Sequence, residues 1–254
     1  MKSLSKIIIS ILLSYNIALG QFSNRILNYC TSKDFVGLSI LIDSLHETGN
    51  QGSINYSAHT EVNRQIIGKY YETIFYYEEN QTNFLDYTIQ LISDSNSITY
   101  CKIRSVEFVD KPEVVYYSLD EEKFNDLKKQ YKKGYNNQVK IKDFFIDKVV
   151  YGNRCGKAPT PPEYREKVEK AIKHKNIHLL NTWLASVNTE KQVYAVEALL
   201  RLEKSGMILK PEQKQRMELV KNKSGTIRAC GGCLLRKWTI DEALNYSLKW
   251  THED

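Results

Sequence analysis

The chain has 254 residues, 42% of them hydrophobic, and a formal net charge of +6, which becomes +4 when Lys2 and Lys6 of the N-terminal segment are set aside. That length suffices for one large domain or two ordinary ones, each able to bury a core. So mild a charge, without dense basic clusters, argues against an obligate nucleic-acid binder and a polybasic membrane anchor.

Residues 1–20 place Lys2 and Lys6 ahead of an apolar run from Ile7 to Leu13 and end in small residues at Ala18 and Gly20. This order predicts a secretory signal peptide cleaved before Gln21, and so a secreted or periplasmic mature protein. The apolar run is too short to cross a bilayer, and Ser14, Tyr15 and Asn16 follow it. No later segment is long and apolar enough either, so no transmembrane segment is expected in the mature chain.

A short helix is predicted over Asn24 to Tyr29. Another follows over Asp34 to Glu47, where Phe35, Leu38, Leu41, Ile42 and Leu45 recur at helical spacing. From His59 to Glu79 the residues Val62, Ile66, Ile67, Tyr70, Tyr71, Ile74, Phe75 and Tyr77 fill a wide arc, read as a long helix buried against several neighbours. The period then drops to two at Leu85, Tyr87, Ile89 and Leu91, which predicts a hairpin with a return strand from Ile98 to about Val109. Val114 to Tyr117 is a third strand. Ser118 and Glu121 read as a capping box opening a helix that carries acids first, lysines last, and stops at Gly134. Val139 to Tyr151 reads as extended.

Glycine and proline concentrate in 152–163, marking a boundary. Beyond it every signal is helical: Glu163 to His174 with Thr160 as its cap, Ile177 to Ser186, a helix boxed by Thr189 and Gln192 that ends at Gly206, one opened by Pro211, and a last one boxed by Thr239 and Glu242. In 186–206, a short Asn-containing corner followed by Ala and Leu at helical spacing resembles one helix of a HEAT or armadillo repeat. That resemblance implies a stacked helical surface that binds a protein or peptide and catalyses nothing. The expected fold is α+β: N-terminal helices with a small antiparallel sheet over 21–154, then an all-helical, HEAT-like domain over 155–254.

Chemistry concentrates in "RACGGCLL", residues 228–235, where Cys230 and Cys233 stand two glycines apart. A thioredoxin site is excluded by position, because its cysteine pair comes early with strands to follow, and only 21 residues follow Cys233 here. Zinc would need two more ligands, and His174 and His178 are the candidates, although a corner at Asn176 separates them. The favoured reading is a disulfide. An exported chain meets oxidising conditions, and its five cysteines, Cys30, Cys101, Cys155, Cys230 and Cys233, can form two bonds with one thiol left over. The preferred bond joins Cys155 to Cys230 or Cys233, tying the two ends of the helical region together.

The stretch "LKKQYKKGYNNQVKIK" mixes lysines with Tyr131 and Tyr135 as nucleic-acid grooves do, but helix-dipole complementation and a solvated face explain it more simply. Asn55, Asn80, Asn222 and Asn245 each begin a glycosylation triplet of the kind chance supplies in such a composition. Nucleophile elbows, HExxH motifs and phosphate loops do not occur. No cofactor and no metal are expected. The function expected is that of an exported non-enzymatic protein binding a protein or peptide partner through its helical region. The alternative is a thiol-disulfide protein using Cys230 and Cys233.

Overall fold

A computed structural model describes residues 21–47, 55–80, 85–106, 113–145, 149–156, 160–232 and 234–250, and residues 1–20, where a signal peptide is expected, lie outside them. The spine of these residues is an eight-stranded mixed sheet. In chain order the elements are α1 (Gln21–Ser32), α2 (Phe35–Glu47), β1 (Asn55–Ile67), β2 (Tyr70–Asn80), β3 (Leu85–Ser93), β4 (Ile98–Val106), β5 (Glu113–Leu119) and α3 (Glu121–Tyr135). After a 3-10 turn at Ile141–Asp143 come β6 (Tyr151–Cys155), α4 (Glu163–Lys173), α5 (Ile177–Leu184), α6 (Thr189–Lys204), α7 (Pro211–Lys221), β7 (Gly225–Gly232), β8 (Leu234–Trp238) and α8 (Ile240–Trp250).

Two expectations are corrected. The all-helical C-terminal domain does not exist, because β6, β7 and β8 lie among its helices and extend the N-terminal sheet. The strand order is β5-β4-β3-β2-β1-β7-β6, with β8 on β7; β6 and β7 run parallel and the other pairs antiparallel. The long helix over His59 to Glu79 is instead the β1–β2 hairpin. The wide apolar arc there was two alternations, one after the other. Val62, Arg64 and Ile66 share one face, as do Tyr70, Glu72 and Ile74, and both stretches are rich in β-branched and aromatic residues. Ile67 pairs with Tyr70 across a two-residue turn in which Gly68 takes φ 54, the positive value such tight hairpins need at their first central position.

Helix ends shift by a residue or two from their sequence signals. Asp120 rather than Ser118 caps α3, accepting from the Lys123 N–H at 3.2 Å. Asn188 caps α6, accepting from the Lys191 N–H at 2.9 Å. The Thr239–Glu242 box forms in both directions, with Thr239 N–H donating at 2.7 Å and Glu242 N–H at 3.2 Å. Asn136 in the left-handed region ends α3.

The sheet separates two cores. On one face α1 and α2 bury Ile26, Cys30, Leu38, Leu41, Ile42 and Leu45 against Phe75, Tyr77, Ile89, Leu91 and Cys101. On the other face the helices from α3 onward build the larger core, which takes Ile66, Tyr70, Ile92 and Tyr100 from the sheet. Each side chain of Leu or Ile size buried this fully contributes about 1.5–3 kcal/mol. At the centre of the larger core runs α6, buried on every side, including Glu190, Gln192 and Glu197.

Candidate functional site

The sheet splits at its middle. β1 pairs with β7 only at Asn63 and Arg64, opposite Thr226 and Gly225, and the Arg228–Glu61 ion pair at 2.8 Å spans the two strands further along. From Ile227 onward β7 pairs with β8, from Ile227↔Trp238 to Gly231↔Leu234. Gly225 makes the junction possible: at φ 95 a side chain there would bring its Cβ to 2.3 Å from the Asn63 carbonyl oxygen. Past it β1 and β8 diverge, tied by Lys237 Nζ donating to the Thr60 carbonyl.

The divergence opens a cleft in two joined parts. The outer part, about 380 Å³, is lined by Glu61, Tyr76, Val150, Arg228, Leu235, Arg236 and Lys237. The inner part, about 160 Å³, shares Tyr76 and Arg228 and reaches Arg64, Glu72, Thr88, Gln90 and Phe145. β8 is exposed along nearly its whole length, Leu234 at 57% and Leu235 at 71%, and among the described residues its outer edge carries no partner strand. An open edge of this kind offers unpaired backbone donors and acceptors to another chain.

The inner end is fixed by buried charge. Arg64 donates from Nε to Glu72 at 3.1 Å and from Nη1 to Glu190. Glu72 also accepts the Phe145 N–H at 3.2 Å, and Glu190 the Arg228 N–H at 3.0 Å, so the backbone completes both carboxylates. Burial pulls the Arg64 pKa down, but the two carboxylates overcome it and hold it above the ordinary value. Phe145 sits at φ 57 with its ring stacked on Tyr100, centroids 5.3 Å apart, a costly backbone state for a non-glycine residue that packing and the Glu72 bond maintain. Behind Arg64, the Lys223 amine donates to Gln192 at 2.6 Å and lies 5.3 Å from the centre of the Tyr135 ring. Burial first, then repulsion from Arg64, brings its pKa down to about 7, against the opposing pull of Glu72 and Glu190.

At the far end of α6, Arg165 grips Glu197 with two bonds of 2.6 and 2.9 Å, and Tyr151 adds a third to Glu197 at 2.6 Å. Ser247 and the Gly152 carbonyl take further Arg165 protons. This cluster joins α4, α6, α8 and β6, and none of its members lines the cleft.

Cys155 and Cys230 form a disulfide with Cα atoms 5.6 Å apart, linking the end of β6 to β7 and closing a loop of 75 residues. Cys230 is 1% exposed, whereas Cys155 is half-buried. Cys233 lies outside the described residues. His174 caps the end of α4, His178 belongs to α5, and both are exposed, while Cys230 is already bonded. Among the described residues no group of three or more His, Cys, Asp and Glu could hold a metal. Tyr131 and Tyr135 are core residues, Tyr131 donating to the Ser186 carbonyl at 2.6 Å, and so offer no stacking surface. Among the described residues no helix is long and apolar enough to cross a membrane.

Sequence reading missed the cleft, whose lining comes from β1, β2, β3, β7 and β8 together with Val150 and Phe145. A usable signal was present in "LLRKW", 234–238, two exposed leucines followed by two cations just before a capped helix. No family model matches the chain, and neither a curated protein nor a solved structure resembles it closely enough to lend it a role.

Proposed function

We propose that the protein acts outside the cytoplasm as a non-enzymatic binding protein that takes an extended acidic segment of a partner protein along the open edge of β8. The carrying observation is the splitting of the sheet, which leaves that edge beside a cleft of mixed apolar and cationic character. Backbone pairing would supply affinity and side-chain pockets selectivity, as in other strand-addition complexes. Leu235, Tyr76 and Val150 offer apolar contact; Glu61 is neutralised by Arg228 at 2.8 Å, and the surplus charge of Arg236 and Lys237 favours acidic side chains on the ligand. Display selection of random 12-residue peptides on the purified chain tests this. Enriched peptides should alternate acidic and apolar residues, protect the Leu234 to Trp238 amides from hydrogen exchange, and bind Arg236→Glu at least tenfold more weakly. Enrichment of basic peptides, or of peptides that leave β8 unprotected, would remove the reading.

The Cys155–Cys230 bond favours a second reading, thiol-disulfide exchange. The pair in that case is not Cys230 with Cys233 but Cys230 with Cys155: a substrate thiolate attacks Cys155, Cys230 leaves as thiolate, and the substrate ends in a mixed disulfide. The burial of Cys230 weighs against it, since exchanging bonds are accessible and readily reduced. Titration against glutathione buffers separates the two. A structural bridge stays oxidised throughout the range of the cytosolic glutathione couple, whereas an exchanging one is reduced within it and yields a thiol of lowered pKa.

A further inference from the structure

The second core contains another cysteine pair. Cys30 lies in the last turns of α1 and Cys101 in the middle of β4, and both are fully buried in the same apolar cluster. The sequence separates them widely, but local contacts lock them together. Ile98 N–H donates to the Lys33 carbonyl at 3.0 Å, Asp34 bridges Ser97, and the Tyr116 hydroxyl of β5 reaches the Cys30 carbonyl at 3.4 Å. The structure holds both as free thiols, sharing the apolar cluster of Leu38, Ile42, Leu91 and Ile103, in which each is the other's hydrogen-bonding neighbour.

We propose that Cys30 and Cys101 form a second disulfide, closed by a small-molecule or protein disulfide oxidant while the chain folds. The step balances as two exchanges. One cysteine thiolate attacks the oxidant R–S–S–R and releases one R–S⁻; the other then displaces the second R–S⁻ from the mixed disulfide. Two protein thiols are oxidised, one oxidant disulfide is reduced to two thiols, and the two protons pass to the leaving thiolates. Timing follows from burial. With both sulfurs sealed from solvent and the Cys101 thiol pushed well above its usual range by desolvation and then by Cys30, the folded dithiol is a poor nucleophile. Closure therefore belongs to folding, before α1 and α2 cover the sheet, and the finished bond is inaccessible to reductant. The pairing also completes the cysteine arithmetic, leaving Cys233 as the one free thiol of five.

The test uses the full mature chain, refolded from the reduced state in a buffer of reduced and oxidised glutathione, so that its outcome does not depend on export or on partner binding. The product is denatured at low pH, alkylated with N-ethylmaleimide and mapped without reduction. The expected result is one alkylated cysteine, Cys233, and a linked peptide pair containing Cys30 and Cys101. In Cys155→Ser the same linked pair should persist, showing that it forms independently of the first bond. The dithiol form, made by refolding without oxidant, should react with N-ethylmaleimide at Cys30 and Cys101 at least a hundredfold more slowly under native conditions than in denaturant. Three alkylated cysteines after oxidative refolding, or a linked peptide joining Cys30 or Cys101 to Cys233, would overturn the proposal.

Discussion

The two faces of the sheet carry cores built on different principles. Under α1 and α2 the core is aliphatic, aromatic and thiol, and the polar residues buried on the same face, Thr73 opposite Leu91 and Ser105 opposite Tyr87, are uncharged. On the opposite face α6 brings Glu190, Gln192 and Glu197 to full burial, each answered by a residue distant in sequence: Arg64 for Glu190, Lys223 for Gln192, Arg165 for Glu197. The first core is tolerant of register, because any apolar residue of similar volume fills it. The second is demanding, because a buried carboxylate without its cation is far worse than an apolar replacement of both. The apolar face thus supplies stability cheaply, while the ionic face dictates which strand and helix meet.

That contrast breaks most sharply at Glu197. Glu197→Gln should leave Arg165 with only the half-exposed Glu169 as counter-charge and cost about 3 kcal/mol in chemical denaturation, whereas Arg165→Met combined with Glu197→Leu should recover most of the loss. If the double replacement were as damaging as the single, the ionic centre would be supplying net stability rather than specificity. An effect no larger than this is expected in the other core, where Leu41→Ala should cost about 3 kcal/mol by cavity formation, equally at pH 5.5 and pH 7, since the cluster holds no acid, histidine or lysine. A pH-dependent loss would show that the apolar face is not isolated from charge.

The smallest change concerns Lys223, whose pKa is brought down to about 7 in the folded protein. Between that value and the ordinary lysine range near 10, the unfolded chain holds the proton and the folded chain does not, so stability rises with pH across this interval and the full penalty applies below it. Lys223→Met should therefore raise the melting temperature at pH 6 by roughly 2–4 °C, the effect of about 1 kcal/mol in a chain of this size. By pH 9.5 the gain should vanish, because the wild-type amine is then neutral and the variant has lost its bond to Gln192. A gain that does not shrink with pH would mean that Lys223 is charged in the folded state.

The two cores also differ in how much of them could be read from the chain. α2 was legible because Leu38, Leu41, Ile42 and Leu45 announce one helical face, and the β3–β4 hairpin because Leu85 to Leu91 alternate. The β1–β2 hairpin was not, since its two alternations abut across only Gly68 and Lys69 and merge into one dense apolar stretch that also fits a buried helix. α6 was recognisable as a helix but not as one buried on nearly every side. Its glutamates look like a solvated face until Arg64 and Arg165 arrive from elsewhere in the chain, and no local pattern reports a partner that far away. Strands β7 and β8 were hidden for a third reason: "RACGGCLL" drew attention as chemistry, while Thr226 and Ile227 just before it already carried strand propensity. The Cys155–Cys230 bond followed from compartment and counting, but the choice of Cys230 over Cys233 depends on the parallel pairing of Gly152 with Cys230 and Cys155 with Gly232, a tertiary fact.

The wedging of β7 between β1 and β6 governs the order in which the molecule can be assembled. The meander from β1 to β5 joins neighbours in sequence and can zip up locally as it appears. β6, by contrast, waits for a strand that ends at Gly232 of 254 residues, and α6 waits with it, its carboxylate at Glu190 completed by the Arg228 N–H. A chain emerging N-terminus first therefore presents a half-finished sheet, with the edge of β1 uncovered and β6 unpaired, until residues 225–232 have followed.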